Sequence, residues 1–134
     1  MTVTAEARRA QDKVVYNAFM AACPTRQVLA TIADKWAALL ITALADGSQR
    51  HSELARTVAG VSQKMLTQTL RVLERDGVIA RTVTASVPVR VDYELTDLGE
   101  SLMPILGALK TWSETHIREI MAARDEYEAR ELVA

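Results

Sequence analysis

Apolar residues recur at helical spacing along most of this chain and switch to strand-like alternation only between residues 78 and 95. Residues 4–21 predict a weakly amphipathic helix with Val14, Val15, Ala18 and Phe19 on its apolar side. Residues 25–45 predict a stronger one, a single helix whose broad face carries Val28, Leu29, Ile32, Trp36, Leu39, Leu40 and Ala43. Asp46-Gly47-Ser48 breaks that pattern. A short helix at about 51–58 turns Leu54 and Val58 inward. The turn Ala59-Gly60-Val61 leads from it to Ser62, whose hydroxyl suits an N-cap because it can accept an orphan N–H of the first turn. Leu66, Leu70 and Leu73 then form one apolar stripe, and Gly77 is the predicted stop. Two helices joined by a short glycine-containing turn match a helix-turn-helix.

Residues 78–83 (VIARTV) and 89–95 (VRVDYEL) read as two strands joined by a loop at 84–88, a wing beside the second helix. Thr96 caps a further helix, with Leu98, Leu102, Ile105, Leu106, Leu109 and Trp112 on its predicted buried face and Ile117, Ile120 and Met121 continuing it. Pro104 clashes with a straight helix, so the pattern predicts a kink there, or a short first turn followed by a helix starting at Pro104. The last residues, DEYEARELVA, are expected to fray. The fold class is therefore mainly α with a small β-hairpin wing, in one domain spanning 1–134. Its core is 25–96, and 1–24 and 97–134 supply dimerisation helices. A helix-turn-helix with its hairpin does not use those terminal segments, and their spare apolar residues imply an interface between two copies.

Charge changes the picture by its distribution. The net charge is only −1. Residues 48–90 carry seven basic groups (Arg50, Arg56, Lys64, Arg71, Arg75, Arg81 and Arg90) against three acidic ones, whereas residues 92–134 carry four basic against ten acidic. A basic middle suits phosphate binding. Aliphatic residues dominate the core, since aromatics are 4% of the chain. No segment approaches the roughly twenty apolar residues of a membrane span, and the N-terminus lacks the apolar run of a secretory signal. The chain reads as cytoplasmic.

The face of the second helix away from its leucines carries the candidate DNA contacts Ser62, Gln63, Lys64, Thr67, Gln68 and Arg71. Arginine matches guanine and glutamine matches adenine bidentately in the major groove, which makes Arg71 and Gln68 the base readers. Ser62 and Lys64 suit phosphates. Arg90 is expected at the wing tip, reaching toward a minor groove, and Arg50 and His51 at the start of the first helix, within reach of the backbone. His51 reads equally as a partly buried core residue. Trp36, Trp112, Met65 and Met103 read as core or interface.

Cys23, the one cysteine, stands before Pro24, a good first helical residue, so it falls at an N-cap with Arg26 in the same turn. That position stabilises a thiolate and makes Cys23 a redox-sensing candidate. The same residue also reads as a small apolar group packed against the core. A single cysteine excludes an intrachain disulfide and a cysteine-based zinc site. No nucleophile elbow, phosphate loop or metal-ligand spacing occurs, so neither catalysis, cofactor nor metal is expected.

The segments CP (23–24), DKW (34–36), GSQRHSEL (47–54), GVSQKMLTQTLRVLERDGVIAR (60–81), PVRVDYELTDLG (88–99) and LMPILGALKTW (102–112) resemble the HxlR-type winged helix-turn-helix regulators, near the MarR group. The chain departs from that pattern at Ala33 and Asp34, where the family often has two glycines, at His51, where an aromatic is usual, and at Val89, where a second proline is common. The resemblance implies a dimeric regulator that binds double-stranded DNA with a helix in the major groove and a wing near the minor groove, and some relatives sense oxidants or electrophiles through a cysteine near the position of Cys23. The expected function is therefore a homodimeric repressor that answers to an oxidant or electrophile, or to a small molecule. A winged helix used for protein interaction without DNA is the alternative.

Overall fold

A computed structural model of the protein describes residues 4–133. Helix α1 (Ala5–Ala22) starts at Thr4, whose hydroxyl accepts the Ala7 N–H at 3.1 Å. The single helix expected over 25–45 is two, α2 (Pro24–Ile32) and α3 (Lys35–Ala43). The reason is Asp34. Its carboxylate accepts N–H bonds from Trp36 at 2.9 Å and Ala37 at 3.2 Å and so starts a new helix. The re-aimed axis also breaks the expected broad face: Leu40 is buried, whereas Val28, Leu29 and Leu39 are about half exposed.

A two-residue strand, β1 (Gln49–Arg50), precedes α4 (His51–Thr57) and was not expected, so Arg50 lies ahead of the helix rather than in it. Helix α5 (Gln63–Arg75) begins as predicted at Ser62, which accepts the Met65 N–H at 3.1 Å. It stops before Gly77, whose φ of +76° is open to glycine at no steric cost. The hairpin follows as β2 (Ile79–Thr84) and β3 (Arg90–Leu95), antiparallel with Ile79 opposite Leu95 and Thr84 opposite Arg90. β1 adds to the other edge of β3, with Gln49 opposite Tyr93 and Arg50 opposite Asp92, giving the sheet order β1-β3-β2.

Thr96 caps α6 (Asp97–Ser101) by accepting the Gly99 N–H at 3.1 Å. Its hydroxyl donates to the Gly77 carbonyl at 2.6 Å, which ties the end of the wing to the end of α5. Helix α7 runs from Met103 to Val133 with Pro104 in its first turn, the second of the two expected solutions. It continues through the segment expected to fray.

The core lies where α3, α4 and α5 converge on the base of the wing: Leu40, Ile41, Leu44, Leu54, Val58, Leu66, Leu70, Leu73, Val78 and Ile79, joined by Leu106 from α7. Each such side chain contributes roughly 1.5–3 kcal/mol by leaving water. The terminal helices differ. Of the face predicted as buried over 98–112, only Leu106 is; Leu98, Ile105, Leu109 and Trp112 are exposed, as are Val14, Val15, Tyr16 and Phe19 on α1. Among the described residues nothing covers more than about half of those side chains.

Candidate nucleic-acid interface

Helix α5 has two unlike sides. Leu66, Leu70 and Leu73 anchor it in the core, and Lys64, Gln68 and Arg71, one helical turn apart, stand exposed on its outer surface. Ser62 and Gln63 are exposed at its N-terminal end, but the Ser62 hydroxyl oxygen is already engaged by the Met65 N–H. Thr67 is half-buried, and its Oγ1 lies 3.1 Å from Nε2 of His51. That bond ties the first turn of α4 to the middle of α5. It accounts for His51, which is neither freely exposed nor a packed core residue.

The basic surplus of residues 48–90 is smaller in three dimensions than in the sequence. Arg50 pairs with Glu53 at 3.0 Å, Arg75 with Asp76 at 2.9 Å, Arg81 with Glu74 at 3.3 Å and Arg90 with Asp92 at 2.9 Å. The Arg50 side chain, seconded by its backbone N–H, holds the Glu53 carboxyl below the usual carboxylate range, and Asp92 raises the already high pKa of Arg90. Lys64, Arg71 and Arg56 have no carboxylate within 4.0 Å among the described residues. The unneutralised cations thus sit on the two helices of the motif. Arg56 counts in the basic middle of the sequence but is not singled out there as a contact, because nothing in the spacing separates a paired arginine from an unpaired one.

Arg90 is not at the wing tip. It is the first residue of β3, opposite Thr84, and its guanidinium is drawn back along the strand onto Asp92; the tip is 85–89. A contact from Arg90 to a groove requires that pair to open. Between α5 and the wing, Thr67, Leu70, Arg71, Glu74, Arg81 and Tyr93 line a cleft of about 250 Å³. Burial pushes the Tyr93 phenol up, so it stays a neutral donor beside Arg71.

Cys23 links α1 to α2. Its N–H donates to the Met20 carbonyl at 3.2 Å and its carbonyl accepts the Gln27 N–H at 3.2 Å, so it closes one helix and opens the next. The sulfur forms no full cap bond, yet the Arg26 and then the Thr25 N–H groups beside it hold the thiol pKa below its ordinary value. The backbone of the helix start does this, rather than the Arg26 charge. The thiol is partly exposed, about 40 residues from α5 in sequence.

The profile of the HxlR-like helix-turn-helix family matches residues 31–121. The HTH-type transcriptional regulator YtfH of Escherichia coli (strain K12) is 43% identical over 110 residues, covering 82% of this chain and 87% of that protein. Among solved structures, the transcriptional regulator ytfH from Salmonella typhimurium superposes with a TM-score of 0.70 at 41% identity, over 78% of this chain and 93% of that one. The redox regulator HypR in its oxidized form superposes with a TM-score of 0.66 at 40% identity, over 69% of this chain and 96% of that one.

Proposed function

The chain belongs to the HxlR-like helix-turn-helix family of transcriptional regulators, and from that premise we propose that it works as a homodimeric repressor that binds duplex DNA and responds to an oxidant through Cys23. The observation that carries this reading is the outer surface of α5, where Gln68 and the cations Lys64 and Arg71, which pair with no carboxylate among the described residues, project from a helix whose other side is locked in the core. A helix so held can enter a major groove without rearranging. Lys64 with the exposed N-terminal turn faces phosphates, and Gln68 and Arg71 face base edges. Residues 25–96 form the DNA-binding core. The exposed apolar sides of α1 and α7 support a twofold interface built from 1–24 and 97–134, which presents two α5 helices to half-sites about one helical turn, roughly 34–36 Å, or a multiple apart. Arg50 acts as a backbone contact and Arg90 as a minor-groove contact once Glu53 and Asp92 release them.

Binding of the dimer to its own upstream promoter, measured across salt, tests this. The logarithm of the affinity is expected to fall linearly with the logarithm of salt concentration as counterions are released. Arg71→Ala is expected to weaken specific binding by about 1–3 kcal/mol and to relax one base position, whereas Lys64→Ala weakens all sequences alike and flattens the salt slope by about one. An Arg71→Ala protein with unaltered affinity and sequence preference removes Arg71 from the contact set.

The Cys23 part of the reading is supported by its favoured thiolate and by the likeness to a redox regulator. Diamide is expected to lower promoter affinity in the wild type and to leave Cys23→Ser unaffected. Equal losses in both proteins rule Cys23 out.

A further inference from the structure

A cavity of about 490 Å³ opens between α2, the end of α5 and α6; none of the proposed DNA contacts lines it, and Leu98, Ser101 and Leu102 in its wall belong to the segment proposed for the dimer interface. Its size falls in the range of small-molecule sites, roughly 300–1,000 Å³. Val28, Ile32, Val78, Leu98 and Leu102 make its walls apolar. Polar groups converge at one end. The Thr31 hydroxyl, buried, donates to Asp76 Oδ2 at 2.5 Å, and Arg75 reaches the same carboxylate with Nε at 2.9 Å and Nη2 at 3.3 Å. Arg75 first, then Thr31, holds the Asp76 carboxyl below its ordinary value, so the group is an anion at neutral pH.

The electrostatics of that end are one-sided. α2 finishes at Ile32 and α5 at Arg75, so these two of the three lining helices bring their partly negative C-terminal ends to the cavity, while the short α6 contributes Leu98 and Ser101. Asp76 adds a full negative charge. The single cation among the lining residues is Arg75, whose side chain is 68% exposed and lies over the mouth as a surface pair. Such a pair is weak and easily exchanged.

We propose that this cavity is a binding site for a small hydrophobic amine, whose ammonium takes the place of Arg75 on Asp76 while its apolar body lies against Val28, Leu98 and Leu102. A carboxylate ligand would face Asp76 and two helix C-termini with only an already neutralised arginine to answer it. A neutral ligand would leave the aspartate without a counter-charge when Arg75 moves aside. Asp76 is also the C-cap of α5, so occupancy is registered at the end of that helix. The regulatory consequence rests on the proposed DNA binding; the binding of the amine does not.

Calorimetric titration of the full-length protein with 2-phenylethylamine, 2-phenylethanol and 3-phenylpropionate tests the site. The amine is expected to bind about tenfold or more tightly than the alcohol or the acid. Asp76→Asn keeps the shape and removes the charge, and is expected to cost the amine about tenfold. Val28→Trp fills the cavity from its half-exposed rim and is expected to abolish binding even if the Asp76 variant does not fold. Equal binding of the three compounds, binding of none, or an amine affinity that survives both substitutions overturns the site. Promoter affinity with and without the amine reads the coupling separately, and no change in it at saturation overturns the coupling.

Discussion

Replacing Gly99 with alanine is expected to destabilise the protein by about 3 kcal/mol, near the upper end for an overpacked site. A Cβ built on Gly99 lies 2.1 Å from the Val78 carbonyl oxygen, a backbone atom that no rotamer change can move. The same carbonyl accepts the Thr96 N–H at 3.1 Å, and Thr96 in turn holds Gly99 through its cap bond. Making room for one methyl group therefore pulls α6 off the loop after α5 and loosens the seam between wing and helix. The denaturant midpoint at fixed protein concentration is the measurement, since linkage to any dimer makes stability concentration-dependent. A wild-type midpoint in Gly99→Ala would mean that α6 does not pack against Val78. Because Thr96 also bonds Gly77, the wing is expected to lose its aim along with stability, and promoter affinity should fall more than the unfolded fraction explains.

Leu66→Ala is expected to cost about 3–4 kcal/mol, from lost transfer energy and the hole left behind. Leu66 is fully buried in the core that α5 shares with α3 and the base of the wing, one residue before the His51–Thr67 bond. The exposed Lys64, two residues away, makes the contrast: its removal should change binding and not the melting transition. If Leu66→Ala melted like the wild type, α5 would not be seated on the core as described, and the rigid outer surface that the DNA-binding reading needs would be lost with it.

Much of this was legible because it is local. Ser62 and Thr96 were readable as caps, and Leu66, Leu70 and Leu73 as a buried stripe, because a cap and a 3.6-residue period are written in neighbouring residues. The division of 25–45 was legible in principle, since Asp34 is a strong N-cap. The apolar period runs on across it and hid the break. β1 is two residues long, too short to show any alternation; it exists because β3 offers it an edge. The ion pairs were out of reach for a different reason. Arg81 meets Glu74 from another element, and Arg90 meets Asp92 only because strand residues two apart share a face. The face over 98–112 has helical periodicity like any buried one, and a period marks an apolar side without saying whether its own chain covers it.

The strand β1 has a thermodynamic consequence. A hairpin held only at its two ends would have to be ordered at each encounter with a duplex, at roughly 1–2 kcal/mol of backbone entropy per residue fixed. Here Gln49 and Arg50 stitch β3 to the start of α4, Thr96 fastens the far end to Gly77, and the His51–Thr67 bond joins α4 to α5. Wing and helices are therefore tied together before any encounter with a duplex. Only the tip at 85–89 is left to adjust its shape, so the conformational freedom surrendered on docking is confined to a few residues.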